Sequence, residues 1–152
     1  MFGHAVSPLR GRRSITMLGA CALGVVITGC GMGVRTKVVS AMEGCLAVRN
    51  PLFKAGKSDE ALATRLPAAI VALAEETAYA FGFSAYREVA DAAETQAELT
   101  CALELGAHYE HEDVRAWLKT FERSPNAPVA AHARRLYAQQ LARVGRTPVT
   151  GP

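Results

Sequence analysis

The sequence predicts an all-α domain, a compact bundle or set of helical hairpins, lying behind a removable N-terminal segment. Three observations carry this. The composition is 50% hydrophobic but only 7% aromatic, a balance of alanine and leucine that favours packed helices over strands. Apolar residues recur at helical spacing in one segment after another, and no alternating strand or hairpin pattern competes with them. With residues 1–29 removed, the 152-residue chain retains 123 residues, enough for one core without a metal or a dense disulfide framework.

The first element is the leader. Arg10, Arg12 and Arg13 form a positive region, and the segment from Ile15 to Thr28 that follows is uncharged and mostly apolar, the layout of a secretory signal. It ends in Ile27-Thr28-Gly29-Cys30, which resembles the lipobox of bacterial lipoproteins: an aliphatic residue, two small residues, then the cysteine that receives a diacylglyceryl group before cleavage. Leu18-Gly19-Ala20-Cys21 fits the pattern more loosely and leaves a very short apolar stretch after Arg13. An uncleaved anchor helix from Ser14 to Val34 has about the length needed to span a bilayer, but four glycines between Gly19 and Gly31 weaken it. Arg12-Arg13 is similar to a twin-arginine signal, with Thr16 where an apolar residue belongs.

The lipoprotein resemblance implies a domain held in the cell envelope by acyl chains on Cys30, since two or three chains anchor far more firmly than one. Residues 30–36 would form a tether of about 20 Å at most, keeping the domain near the bilayer. Gly31 in place of an aspartate implies, by resemblance to Gram-negative lipoproteins, the periplasmic face of the outer membrane.

The helical domain is expected over 37–146. Val38, Val39, Met42, Cys45, Leu46 and Val48 mark a first amphipathic helix, with Asn50-Pro51 as its stop. Ser58-Asp59-Glu60 offers a cap and an acidic first turn for a short helix through Leu66, and Pro67 kinks it or opens the next. From Ala68 to Phe83 the chain is apolar almost all round, which reads as a buried central helix; Glu75 and Glu76 make it too polar for a membrane span. A long helix follows from Ala85 to Tyr109, another opens at His111-Glu112-Asp113 and runs to Arg123, and a last one spans Val129 to Val144 with Gly145 as its cap. Residues 147–152 read as a disordered tail.

Charge excludes one class of partner. The net charge of +3 comes from the three leader arginines, and removing them from the 17 basic residues leaves 14 against 14 acidic ones. The domain is thus near neutral, with nothing to favour nucleic acid. Its charges are graded: Glu75 to Asp113 holds ten acidic residues against Arg87 alone, and Arg115 to Arg146 holds seven basic residues against Glu122 alone.

Two resemblances concern the helices. Leu105-Gly106 followed by Tyr109 is similar to the Leu-Gly-x-x-Tyr core of tetratricopeptide repeats, and Ser124-Pro125-Asn126 to their Pro-Asn junction. Ala102 stands in place of the usual tryptophan, and the stretch from Leu105 to the proline is several residues short. The segment from Lys54 to Phe121, with Leu66-Pro67-Ala68-Ala69, Ala72-Leu73-Ala74-Glu75 and Tyr79-Ala80-Phe81-Gly82-Phe83, resembles the front part of the T-component family associated with TRAP transporters. Those proteins are tetratricopeptide-like periplasmic lipoproteins. The resemblance implies a ligand- or partner-binding accessory to a periplasmic solute-binding protein, and no catalysis.

The candidate chemistry is sparse. His108, His111, Glu112 and Asp113 form the one metal-like cluster, but a turn after Tyr109 separates its histidines and acidic residues are ordinary at a helix start, so no metal site is assigned. There is no nucleophile elbow, HExxH helix or phosphate loop, and no cofactor or catalytic residue is assigned. Tyr79, Phe81, Phe83 and Tyr86 are candidates for lining an apolar ligand groove, against the simpler reading that they fill the core. In an oxidising periplasm Cys45 and Cys101, the two cysteines left after Cys30, are candidates for a disulfide. The expectation is a non-catalytic envelope binding module; a structural envelope protein and a metal-dependent enzyme built on the His108 cluster are the alternatives. Mass spectrometry of the protein made in a Gram-negative host should find a diacylglyceryl adduct on an N-terminal Cys30 that Cys30→Ser abolishes; an unmodified precursor from both would contradict the lipobox reading.

Overall fold

A computed structural model describes residues 30–145, with side chains from Gly33 onward. The expected leader, the Cys30 side chain and the tail lie outside the described residues. Those described form seven helices and no strand: α1 (Cys30–Lys54), α2 (Ser58–Ala63), α3 (Ala68–Glu75), α4 (Tyr79–Ala92), α5 (Gln96–Gly106), α6 (Glu112–Phe121) and α7 (Ala127–Val144). No described helix is long and apolar enough to cross a membrane.

α1 is longer than its periodicity suggests at both ends. It begins at Cys30, so residues 30–36 are helix rather than extended tether. It also runs through Pro51, where the missing N–H forfeits the bond to Ala47 C=O one turn before the helix ends. The stop is Gly56, whose φ of 73° suits a residue without a Cβ. Lys57 N–H donates to Leu52 C=O at 2.9 Å and Gly56 N–H to Phe53 C=O at 3.0 Å, the paired bonds of a Schellman ending. Ser58 is the first residue of α2 and not its cap; Lys57 holds that position without a side-chain bond.

The stretch from Ala68 to Phe83 is not one buried helix. It divides after Glu75, and of α3 only Ala74 is buried. Tyr109 causes the break: its hydroxyl donates to Ala74 C=O at 3.1 Å, and its ring presses so closely on Gly82 that a Cβ there would lie 1.8 Å from the phenolic oxygen. The expected helix from Ala85 to Tyr109 divides too, at Thr95. Glu98 N–H donates to Thr95 Oγ1 at 3.2 Å while Glu98 Oε2 accepts from Thr95 N–H at 3.0 Å, a reciprocal capping box. Glu94 N–H, at 2.9 Å, and Thr95 N–H both donate to the Glu98 carboxyl and hold it below its ordinary value.

α5 is the true central helix: Ala97, Thr100, Cys101, Ala102, Leu103, Leu105 and Gly106 are all buried. Gly106 sits under Trp117, where a Cβ would come within 2.8 Å of the indole, and Trp117 meets Phe83 edge-on at 5.3 Å. α6 starts where the sequence leads one to expect, whereas α7 starts at Ala127, two residues before the expected Val129, because Asn126 caps it. His111 Nδ1 accepts from Asp113 N–H at 3.2 Å, and Asn126 Oδ1 from Val129 N–H at 3.2 Å, each covering an otherwise orphaned donor.

Cys45 of α1 and Cys101 of α5 form a disulfide, their Cα atoms 5.9 Å apart and their positions 56 residues apart in the chain. Closing so long a loop restricts the unfolded chain by about 4 kcal/mol in the chain-entropy treatment. The Cys45→Ser/Cys101→Ser protein should lose up to about that much stability in urea unfolding; a loss under about 1 kcal/mol would show that α1 is held by packing alone.

Candidate functional site

The lone charged residue in the buried run from Cys101 to Ala107 is Glu104, and three helices converge on it. Arg49 of α1, with no solvent exposure, donates through Nη2 to Glu104 Oε2. His132 of α7 brings Nε2 to 3.4 Å from the same oxygen, long for a hydrogen bond but well within ion-pair range. Behind it, Arg135 Nη2 lies 2.8 Å from His132 Nδ1 and also donates to Leu62 C=O of α2. Because an arginine can only donate, His132 Nδ1 is the acceptor, and its proton sits on Nε2, toward Glu104.

The charges follow from these neighbours. Burial works to raise the Glu104 carboxyl, but the facing His132 and the Arg49 guanidinium outweigh it and hold the group below the ordinary carboxylate range. Burial pushes the His132 imidazole down; Glu104 opposes this, and Arg49 and Arg135 add to it. The cluster is therefore a carboxylate between a guanidinium and a neutral imidazole. Arg49 Nε and Nη1 are buried without a hydrogen-bond partner among the described residues, so Glu104 carries the whole compensation of that charge.

Glu104 and Arg135 also line a depression in the surface. This cleft of about 880 Å³ lies between the α2–α3 segment, the end of α5 and one face of α7, within the size usual for small-molecule sites. Leu62, Leu66, Val71 and Leu136 give it an apolar wall; Arg65, Glu75, His108 and Arg143 add polar groups. α7 is fixed against its floor by Gln140, which is buried and donates to Ala107 C=O and, at 3.0 Å, to Tyr109 C=O. Another depression, of about 350 Å³, is an apolar groove along Val38, Met42 and Leu46 of α1 and Val89 of α4, with Glu43, Glu94 and Glu98 beside it.

The aromatic residues singled out by sequence fall elsewhere. Tyr79, Phe81, Phe83 and Tyr86 line neither depression. Phe83 and Tyr86 are in the core, while Phe81 faces outward at 65% exposure. Tyr79 stacks on Phe83 at 5.6 Å and on His111 at 4.1 Å and donates its hydroxyl to Asp113 at 2.8 Å. The spacing sets Tyr79, Phe83 and Tyr86 on one helical face and Phe81 on the other, so Tyr79 and Phe83 meet His111 and Trp117 while Tyr86 lies against Tyr109 and Gly106. His108 and His111 part company as well: His108 turns into the cleft, 4.0 Å from Glu75, and His111 caps α6. Among the described residues no three histidine, cysteine or acidic side chains are grouped so as to hold a metal ion. Burial first, and then Arg143, lower the His108 pKa against the pull of Glu75.

No protein-family model matches the chain, and neither the curated proteins nor the solved structures searched contain a match.

Sequence reasoning missed the charged cluster. Its one local signal is a glutamate inside an apolar run, with a histidine on the apolar face formed by Val129, Ala133 and Leu136. Removing one member of a buried pair typically costs about 3–5 kcal/mol, whereas replacing both with apolar residues costs far less. Urea unfolding should therefore show Glu104→Leu strongly destabilised and Arg49→Met/Glu104→Leu largely restored; equal losses in the two would mean that the pair carries no such coupling.

Proposed function

We propose that this domain is a non-catalytic binding module of the cell envelope, tethered by lipid on Cys30, whose ligand site is the cleft between α2–α3, α5 and α7. The observation that carries the reading is the cleft itself: an apolar wall with a few fixed polar groups, the common make-up of a ligand site. The Cys45–Cys101 disulfide supports an exported location, since such bonds persist in oxidising compartments. The lipobox-like Ile27-Thr28-Gly29-Cys30 supports the anchor, and α1 starting at Cys30 would leave the domain close to the bilayer.

The polar groups around the cleft favour binding over catalysis. Glu104 is occupied by Arg49 and His132, and His132 is itself buried behind Arg135, so neither is free to take a proton from a bound molecule. The resemblance of Lys54 to Phe121 to the T-component family gives the proposal its narrower form, an accessory that hands a ligand to or from a periplasmic solute-binding protein.

The test is to isolate the protein from its host's envelope without denaturation and identify what it carries by mass spectrometry. The expected result is a small molecule retained unchanged on incubation and lost from Val71→Trp, whose indole would fill the cleft. An empty wild-type protein, or conversion of the molecule on incubation, would contradict a binding role at this site.

A further inference from the structure

The cleft is not evenly charged along its length. The rise of an α-helix places Arg135 and Arg143 about 12 Å apart along α7, and different neighbours surround each. At the Arg143 end Glu75 offsets the arginine, and His108 between them adds no charge, its pKa lowered chiefly by burial. Arg143 is further engaged with Ala107 C=O at 3.4 Å. At the other end Arg135 is bonded to Leu62 C=O, three residues before Arg65 on the same rim, with Glu104 as the acidic residue there, and the buried Arg49 already matches that carboxylate. Two guanidinium charges are thus in surplus at one end, and none at the other.

The donors there are also disposed to receive something. Both hydrogen bonds of Arg135 are made by Nη2, which leaves Nη1 and Nε to spare, and Arg65 makes no hydrogen bond or ion pair with the described residues. The bond to Leu62 C=O fixes the Arg135 guanidinium against α2, so Nη1 and Nε, on opposite sides of the group, are held in place as single donors to an anion. The apolar wall of the cleft is made by Leu66, next in the chain to Arg65, Leu136, next to Arg135, and Val71 of α3.

Resting on the binding role proposed above, we infer that the cleft takes an amphipathic monoanion, an apolar chain of medium length ending in a carboxylate, with the carboxylate at Arg65 and Arg135 and the chain along Leu66, Leu136 and Val71. Glu75 at the far end disfavours a second anionic group, so a dicarboxylate of similar length is a poorer fit. The Glu104 carboxylate also lines the cleft, but the buried Arg49 matches its charge, which keeps it from repelling the head group.

Titration calorimetry of the purified domain with octanoate, octanol and octylamine tests this. A hydrogen bond to a charged group is worth about tenfold or more in affinity, so octanoate should bind at one site at least about tenfold tighter than either of the others. Arg65→Gln, an exposed position that leaves the fold untouched, should remove much of that preference, as should Arg135→Gln; Arg134→Gln, one residue away but outside the cleft, should not. Equal binding of the three chains, or a preference unaffected by Arg65→Gln, would overturn the carboxylate assignment while leaving an apolar binding site in place. Failure of all three to bind overturns it as well, whereas the binding role itself falls only if the envelope-isolated protein carries nothing.

Discussion

A guanidinium with no route to water must find its counter-charge inside the protein, and Arg49 finds it in Glu104. Taking both groups out of solvent costs several kcal/mol per ion, so the arrangement persists only while α1, α5 and α7 hold their relative positions. The pair is therefore weak as a source of stability and strong as a constraint: any slippage of α1 along α5 strands a charge in the core. Cys45 and Cys101, one turn from Arg49 and Glu104 on the same two helices, fix the same contact covalently. His132 extends the constraint to α7, and Arg135 carries it on to α2 through Leu62.

The cleft is a by-product of how the remaining chain is used. α2 and α3 are short, and α3 buries only Ala74, so the segment between α1 and α4 covers the end of α5 incompletely. The uncovered surface is bounded by the same residues that satisfy the buried charge, which explains why polar groups stand in an otherwise apolar wall. A fold that must hold Arg135 against Leu62 and His132 thereby presents its unused donors to solvent at a fixed place. Structure and site are in this sense one arrangement seen from its two sides.

Much of the helical architecture was legible in the sequence, because amphipathic periodicity and capping residues act locally. The α6 start at His111 is an example. The breaks at Thr95 and Glu76 were not read correctly, for different reasons. Thr95-Gln96-Ala97-Glu98 is a plain capping signal hidden by apolar periodicity running through it, whereas the break before Tyr79 depends on Tyr109, thirty residues away, reaching Ala74 and Gly82. The aromatic set from Tyr79 to Tyr86 was visible but its role was not, since core filling and groove lining have the same composition. The cleft was the least legible feature: Arg49, Glu104 and Arg135 come from three separated helices, and no local pattern distinguishes a buried arginine from a solvated one.

The central claim, that the cleft floored by this charged cluster is where the domain binds its ligand, is tested most directly by locating a bound probe. Backbone amide NMR shifts followed during addition of octanoate should move in three segments together, at Leu62 to Val71, Glu104 to His108 and Arg135 to Arg143. Shifts gathered instead along Val38, Met42, Leu46 and Val89 would place binding in the apolar groove on the α1–α4 side and contradict the claim.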